Sequence, residues 1–212
     1  MPKDRGPRPL RSVLYFAGDE PDDYRNSERW GSDAIMIDLE EPSSPFPEPA
    51  RVAARAQVGE YLRALPEPSA TRPLFFVRVR SVSTGRTIQD LSAVLCKNLS
   101  GVLLPKVTST ADVIKLDGIL TCLEVDLGLD EGSTMIYPIM ETAEAIRSAY
   151  EIAMSSERVC YMGGAISRSG DLQQSLGYQW TPEGIESLFL RSKVLLDARA
   201  AGVRFPISGM WA

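Results

Sequence analysis

Seven runs rich in Val, Ile, Leu, Phe and Met punctuate the chain, at Arg11–Gly18, Asp33–Glu40, Pro73–Arg80, Gly101–Val107, Thr134–Glu141, Arg158–Gly164 and Gly202–Gly209. Each is short and nearly unbroken by polar residues. Continuous rather than alternating hydrophobicity predicts strands buried on both faces, as in a parallel sheet. Between them lie segments with helical periodicity: Ala50–Leu65, Thr87–Cys96, Ala111–Leu127, Ala143–Ser155 and Pro182–Ala201. In the last, Thr181 stands at the N-cap, Pro182 at the first helical position and Gly202 just past the end, while Ile185, Leu188, Phe189, Ser192, Leu195, Leu196 and Arg199 fall at three- and four-residue steps. The repeated β–α alternation predicts an α/β fold, and its spacing fits a (β/α)8 TIM barrel better than an open doubly wound sheet. Seven strands are one short of closure. The chain is therefore expected to be a single barrel domain over residues 1–212 whose eighth strand and C-terminal segment are absent, or are supplied by a partner.

Composition narrows the field. A chain of 212 residues with 44% hydrophobic content can build one full core. Its net charge of −5, with 23 basic residues spread along the sequence, gives no sustained cationic face, which argues against nucleic acid and anionic membrane as partners. No apolar run reaches the roughly 18 residues of a membrane span, and the basic, Pro-rich start from Met1 to Arg11 leads into no signal-peptide core. The 3 cysteines, Cys96, Cys122 and Cys160, lack CxxC spacing and point to a reducing, cytoplasmic setting without zinc. Histidine is absent, which removes the usual general base and the commonest metal ligand. Catalysis must then use carboxylates, lysine, tyrosine, arginine or a bound cation.

Two acidic sites have the same setting. Asp38-Leu39-Glu40-Glu41 closes the apolar run Asp33–Ile37, and Glu141 closes Met135–Met140 just before a helix signal. The carboxyl ends of barrel strands are where such folds gather metal ligands and acid/base groups, although Glu141 would also serve simply as an acid at a helix N-terminus. Asp38 and Glu40, two apart on one strand, point to the same side. Arg78 lies in the apolar strand Leu74–Val79 and needs a partner there: either Asp38 or Glu40 in a structural pair, or a substrate carboxylate held in bidentate fashion. Lys106 offers a Schiff-base amine, but paired carboxylates at other strand ends favour a metal. Arg168 among Gly163, Gly164 and Gly170 suggests an anion cradle without P-loop spacing. Tyr161, Trp180 and Phe189 read as packing.

Taken in order, Arg11-Ser12-Val13-Leu14-Tyr15, Asp38-Leu39-Glu40-Glu41-Pro42, Ala54-Arg55, Val77-Arg78-Val79-Arg80, Leu104-Pro105-Lys106-Val107 and Met140-Glu141-Thr142-Ala143 resemble the citrate lyase beta-subunit-like family of CoA-ester lyases, which includes malyl-CoA lyases. The resemblance implies a (β/α)8 barrel that binds Mg2+ and makes or breaks a carbon–carbon bond in a hydroxyacyl-CoA or hydroxy acid through an enolate. It implies Glu141 and Asp171 as metal ligands, Arg78 and Glu40 as catalytic groups, and Arg78, Asp38 and Gly164 in substrate binding. The expected partners are a small acyl-CoA or 2-oxo/hydroxy acid and further copies of the chain. Glu41, Arg80 and Arg51 depart from the family's Asp, Asn and Lys. The spacing from Gly164 to Asp171 carries about four extra residues, so that Ser167 is the alternative occupant of the second ligand position. Two rivals stand beside this reading: an aldolase of free 2-oxo acids that does without CoA, and a non-catalytic barrel that serves in binding or assembly.

Overall fold

In a computed structural model, which describes residues 6–41, 46–164, 166 and 168–207, five of the seven runs are strands. They are β1 Val13–Ala17, β2 Ala34–Asp38, β3 Leu74–Arg78, β4 Gly101–Leu104 and β5 Met135–Pro138, following one another in the sheet in chain order. The pairs β1–β2, β2–β3 and β3–β4 are parallel, as continuous hydrophobicity predicts. Every residue of β2 and of β4 is buried. The helices are α1 Pro21–Arg25, α2 Glu48–Ala64, α3 Thr87–Val94, α4 Thr110–Leu127, α5 Ala143–Arg147, α6 Ala149–Met154, α7 Asp171–Leu176 and α8 Leu188–Ala200.

The chain divides into two compact units, taken in turn. The unit formed by Pro9–Leu103 and Gly118–Met135 is built on the parallel registers of β1 to β4. Its first contact is made at Asp33, whose carboxylate accepts the backbone N–H of Arg11 at 2.7 Å and two guanidinium hydrogen bonds from the same residue at 2.8 and 3.0 Å. This sets the approach to β1. Ala54, Val58 and Leu62 form the buried face of α2 at four-residue steps. Tyr61 on that helix lies 5.2 Å from the Tyr24 ring and meets Phe75 edge-on at 6.0 Å.

Charge inside this unit is held in a closed network. Asp90 on α3, 1% exposed, accepts from Arg80 Nε and Nη2 at 3.0 and 2.7 Å and from Arg55 Nη1 at 3.2 Å, while Glu48 pairs with Arg55. Arg80, the departure from the family's Asn, is thus part of an internal clamp between the segment after β3, α2 and α3. Glu124, fully buried on α4, closes the turn before β5 by accepting the N–H groups of Gly132 and Thr134 at 2.8 and 2.9 Å.

In the unit of Leu104–Asp117 with residues 136–207 and 6–8, the sixth run and residues 202–207 of the seventh form isolated parallel bridges and no extended strand, Ile136↔Val159, Ile139↔Gly163 and Gly163↔Ile207, while Ser208 and Gly209 of the seventh run lie outside the described residues. The two bridge points lie three positions apart on the β5 side (136 to 139) and four on the other (159 to 163). The extra residue interrupts the ladder as a bulge does. A side chain at Gly163 would collide with the Ile207 carbonyl, so only glycine permits that bridge. The α/β class and the parallel order match expectation, whereas the described residues contain five strands and no closed eight-stranded barrel.

Two helices also differ from their periodicity. Ala143–Ser155 is split at Ser148, whose N–H is shared between the Glu144 and Ala145 carbonyls. Thr181 does not cap a helix starting at Pro182: its N–H and hydroxyl both donate to Glu186, the chain turns left-handed at Gly184 (φ 62°), and a 3-10 turn Ile185–Ser187 precedes α8. The far end of α8 is as expected, with Gly202 at φ 89° just beyond it. Its apolar stripe is not core. Ile185 and Phe189 are each 72% exposed and Leu188, Leu195 and Leu196 are exposed as well, while Val194 and Ala198 are the buried positions. No helix of the described residues is long and apolar enough to cross a membrane.

The Arg11 fork holds the Asp33 carboxyl down at about 2, below its ordinary 3.8. The contribution of this pair to stability is therefore present above about pH 4 and is lost as pH falls toward 2. Carboxyl titration by NMR should find Asp33 at about 2 in the unmodified protein and raised from that value in Arg11→Ala. An Asp33 that titrates identically in both would remove the pair as the cause.

Candidate functional site

The carboxylates and basic groups singled out in the sequence form two clusters, one in each unit. In the first, the parallel register sets Asp38 directly beside Arg78, the last residues of β2 and β3. Neighbouring parallel strands lie about 4.8 Å apart, so the aspartate meets the arginine fork without either chain bending. Arg78 Nε donates to Asp38 Oδ1 at 2.8 Å and Nη2 to Oδ2 at 2.6 Å, a bidentate pair, and Nη1 lies 3.2 Å from Glu40 Oε2. Asp38 Oδ1 also accepts the Glu40 N–H at 2.9 Å, which fixes the turn off β2. Burial works against the charged guanidinium. The Asp38 hydrogen bonds and the charges of Asp38 and Glu40 outweigh it and raise the Arg78 pKa above the ordinary arginine value.

Arg51, standing where the family has lysine, has a role that the sequence did not reveal. Its guanidinium donates to the carbonyls of Leu39, Glu40 and Phe46 at 3.2, 2.5 and 2.9 Å and stacks on the Phe46 ring. The planar fork can hold three carbonyls of a turning chain, which an ammonium on a single atom serves less well.

In the second cluster Glu141 follows β5 by three residues. Its Oε1 accepts the backbone N–H of Lys106 at 2.7 Å, on the segment that follows β4. Lys106 has φ 53° and is the one non-glycine residue with positive φ among those described. Thr142 fastens the same two segments: its hydroxyl donates to the Val107 carbonyl at 2.7 Å and accepts the Ala145 N–H at 3.0 Å, capping α5. Asp171, the first residue of α7, has Oδ2 3.9 Å from Lys106 Nζ. Ser175 on α7 accepts the Ala143 N–H at 3.0 Å, so α7 is pinned to the start of α5.

Gly164 has a packing reason for being glycine. With φ 116°, a side chain there would press within 3.0 Å of Ile139 Cγ2 and 3.2 Å of the Met140 nitrogen, immediately before Glu141. Arg168 lays its guanidinium over the Trp180 ring at 5.4 Å. Ser167, the alternative to Asp171, lies outside the described residues. Among those that are described, no group of three or more His, Cys, Asp and Glu side chains is assembled for a metal.

The sequence profile of the HpcH/HpaI aldolase/citrate lyase family matches residues 11–207, and the chain belongs to that family. Citrate lyase subunit beta of Haemophilus influenzae is 30% identical over 199 residues, 92% of this chain and 64% of that protein. The L-malyl-CoA/beta-methylmalyl-CoA lyase of Cereibacter sphaeroides is 30% identical over 181 residues, 84% of this chain and 54% of that one. Among solved structures, the CitE protein of Mycobacterium tuberculosis in complex with magnesium and acetate superposes with a TM-score of 0.67 at 26% identity, over 97% of this chain and 74% of that one. This chain spans less than two thirds of the length of these curated relatives.

Asp38→Asn keeps the shape and the acceptor for the Glu40 N–H but removes the charge opposite Arg78, whose side chain is only 23% exposed. Urea unfolding should show a loss of about 1–2 kcal/mol, less than for a pair broken outright because Glu40 stays 3.2 Å from the guanidinium. A loss below about 0.5 kcal/mol, the scale of an exposed pair, would mean that the guanidinium does not depend on Asp38.

Proposed function

We propose that the chain is a Mg2+-dependent carbon–carbon lyase of barrel type that acts on a hydroxyacyl-CoA or a related hydroxy acid through an enolate. The observation that carries this reading is Glu141, held by the Lys106 N–H at 2.7 Å with Asp171 joined to the same lysine, in a chain of the citrate lyase family. Relatives named for citrate lyase and malyl-CoA lyase support the reaction class, and the magnesium in the CitE complex supports the cation.

The donor set fits that ion. Glu141 and Asp171 offer hard carboxylate oxygens, and Mg2+ is commonly held by one or two carboxylates while it keeps waters or takes substrate oxygens at its other positions. When bound, it supplies Lewis-acid stabilisation of the negative charge that develops on the substrate. The protein does the rest. The Lys106 N–H bonds Oε1 and so fixes the orientation of the Glu141 carboxylate. Arg78 serves as the fixed positive charge for a substrate carboxylate or oxyanion, oriented by Asp38 and Glu40. In the cleavage direction the substrate hydroxyl loses its proton, its oxygen forms the carbonyl, and the electron pair of the broken carbon–carbon bond passes to the acyl half as the enolate. With no histidine in the chain, Glu40 is the carboxylate assigned to proton transfer. Gly164 keeps its assignment near the substrate beside its packing role.

A second reading is a barrel that binds without turnover, and one observation favours it: the Arg78 fork is already filled by Asp38. Release of a carbonyl product and an acyl-CoA from a 3-hydroxyacyl-CoA, strictly dependent on added Mg2+, separates lyase from binder. Turnover of the free hydroxy acid without CoA would identify the CoA-independent aldolase.

Glu141→Ala should abolish Mg2+ binding in calorimetric titration while the circular dichroism spectrum stays unchanged, and Asp171→Asn should weaken binding comparably. Unchanged affinity in either variant removes that residue from the metal site. For Arg78→Lys, which keeps the charge but not the planar two-pronged contact, kcat/KM should fall by about 100-fold or more in a folded protein. Near-normal kinetics would show Arg78 to be structural.

A further inference from the structure

Lys106 is the residue through which the two candidate ligands are joined. Its backbone N–H donates to Glu141 Oε1 at 2.7 Å and its ammonium lies 3.9 Å from Asp171 Oδ2. It does this with φ 53°, a conformation that side chains other than glycine, asparagine and aspartate seldom adopt. We propose that Lys106 is a positioning residue that serves as a resident counter-charge: its main chain sets the Glu141 carboxylate, and its ammonium neutralises Asp171 until a divalent cation takes that place.

This rests on the metal-binding reading and adds a regulator to it. The ammonium 3.9 Å from Asp171 offsets part of the negative charge of the two carboxylates in the metal-free protein. The same charge opposes an incoming cation, so Mg2+ has to displace the ammonium from Asp171 in order to bind. Affinity is then lower than the carboxylates alone would give, and the site exchanges its cation more readily. The side chains of Lys106 and Asp171 are 38% and 46% exposed, so solvent screens the effect to a several-fold change.

The test compares Lys106→Met, which keeps the aliphatic stem and loses the charge, with Lys106→Arg, which retains the charge. Titrated with MgCl2 alone at low salt, Lys106→Met should bind about three- to tenfold more tightly than the unmodified protein, and Lys106→Arg about equally. The gap should shrink as KCl is raised, because screening weakens the opposing charge. Lys106→Gly, which suits the positive φ and keeps the N–H, repeats the measurement if the methionine variant is unstable. Melting curves in EDTA supply a metal-free readout, in which Asp171→Asn should destabilise the unmodified protein more than it destabilises Lys106→Met. Equal or weaker Mg2+ binding in both Lys106→Met and Lys106→Gly overturns the proposal while leaving the metal site standing. Absence of Mg2+ binding from every form, the lysine variants included, overturns the metal reading and this proposal with it. Binding gained only when the lysine is removed supports the proposal in its strongest form.

Discussion

A backbone N–H can be aimed at a carboxylate only where the local φ allows it, and at Lys106 that requirement is met by a left-handed residue that is not glycine. The hydrogen bond it makes to Glu141 fixes the acid that the proposed chemistry needs. Other contacts follow from it. Thr142, next in sequence, locks the Val107 carbonyl and starts α5, and Ser175 then ties α7, with Asp171 at its head, to the beginning of that helix. The acidic site is thus assembled from short segments by side-chain-to-backbone bonds, and no long helix carries it.

The other charged cluster depends on register. Because β2 and β3 run parallel with Asp38 opposite Arg78, the pair is fixed by the sheet itself and needs no loop to bring it together. A one-residue slip would send the two side chains to opposite faces. Just past the end of β3, Arg80 meets Asp90, which Arg55 also holds, so two arginines two positions apart in the chain are both matched by acids, one from the adjacent strand and one from a helix.

The strands were legible because buried parallel strands leave unbroken apolar runs, and Ala34–Ile37 and Gly101–Leu104 are such runs. The sixth and seventh runs misled because hydrophobicity records burial but not pairing: Val159 to Gly163 is buried or nearly so, yet one extra residue breaks its ladder. The α8 stripe misled in the opposite sense. Periodicity found the apolar face of the helix but could not say what, if anything, covers it. Asp38, Glu40 and Arg78 were visible as polar residues at the ends of apolar strands. Asp90 was detectable too, since it shares a helical face with Leu91 and Val94, where an acid needs a cation. The role of Lys106 was hidden, because a positive φ leaves no mark on a lysine; nor does composition show that Arg51 clamps carbonyls twelve and eleven residues earlier in the chain.

The order of strands in the Pro9–Leu103 unit has a kinetic consequence. Each strand from β2 to β4 pairs with the one made just before it, and a single connection separates each pair. Loop closure between such neighbours costs less entropy than pairing across the whole chain. Assembly can therefore proceed in the direction of synthesis, with β2 docking on β1 and β3 on β2 while later residues are still being added. In such a sequence the Asp38–Arg78 pair forms when the third strand arrives, and the ion pair then acts as a checkpoint on register before the fourth strand is laid down.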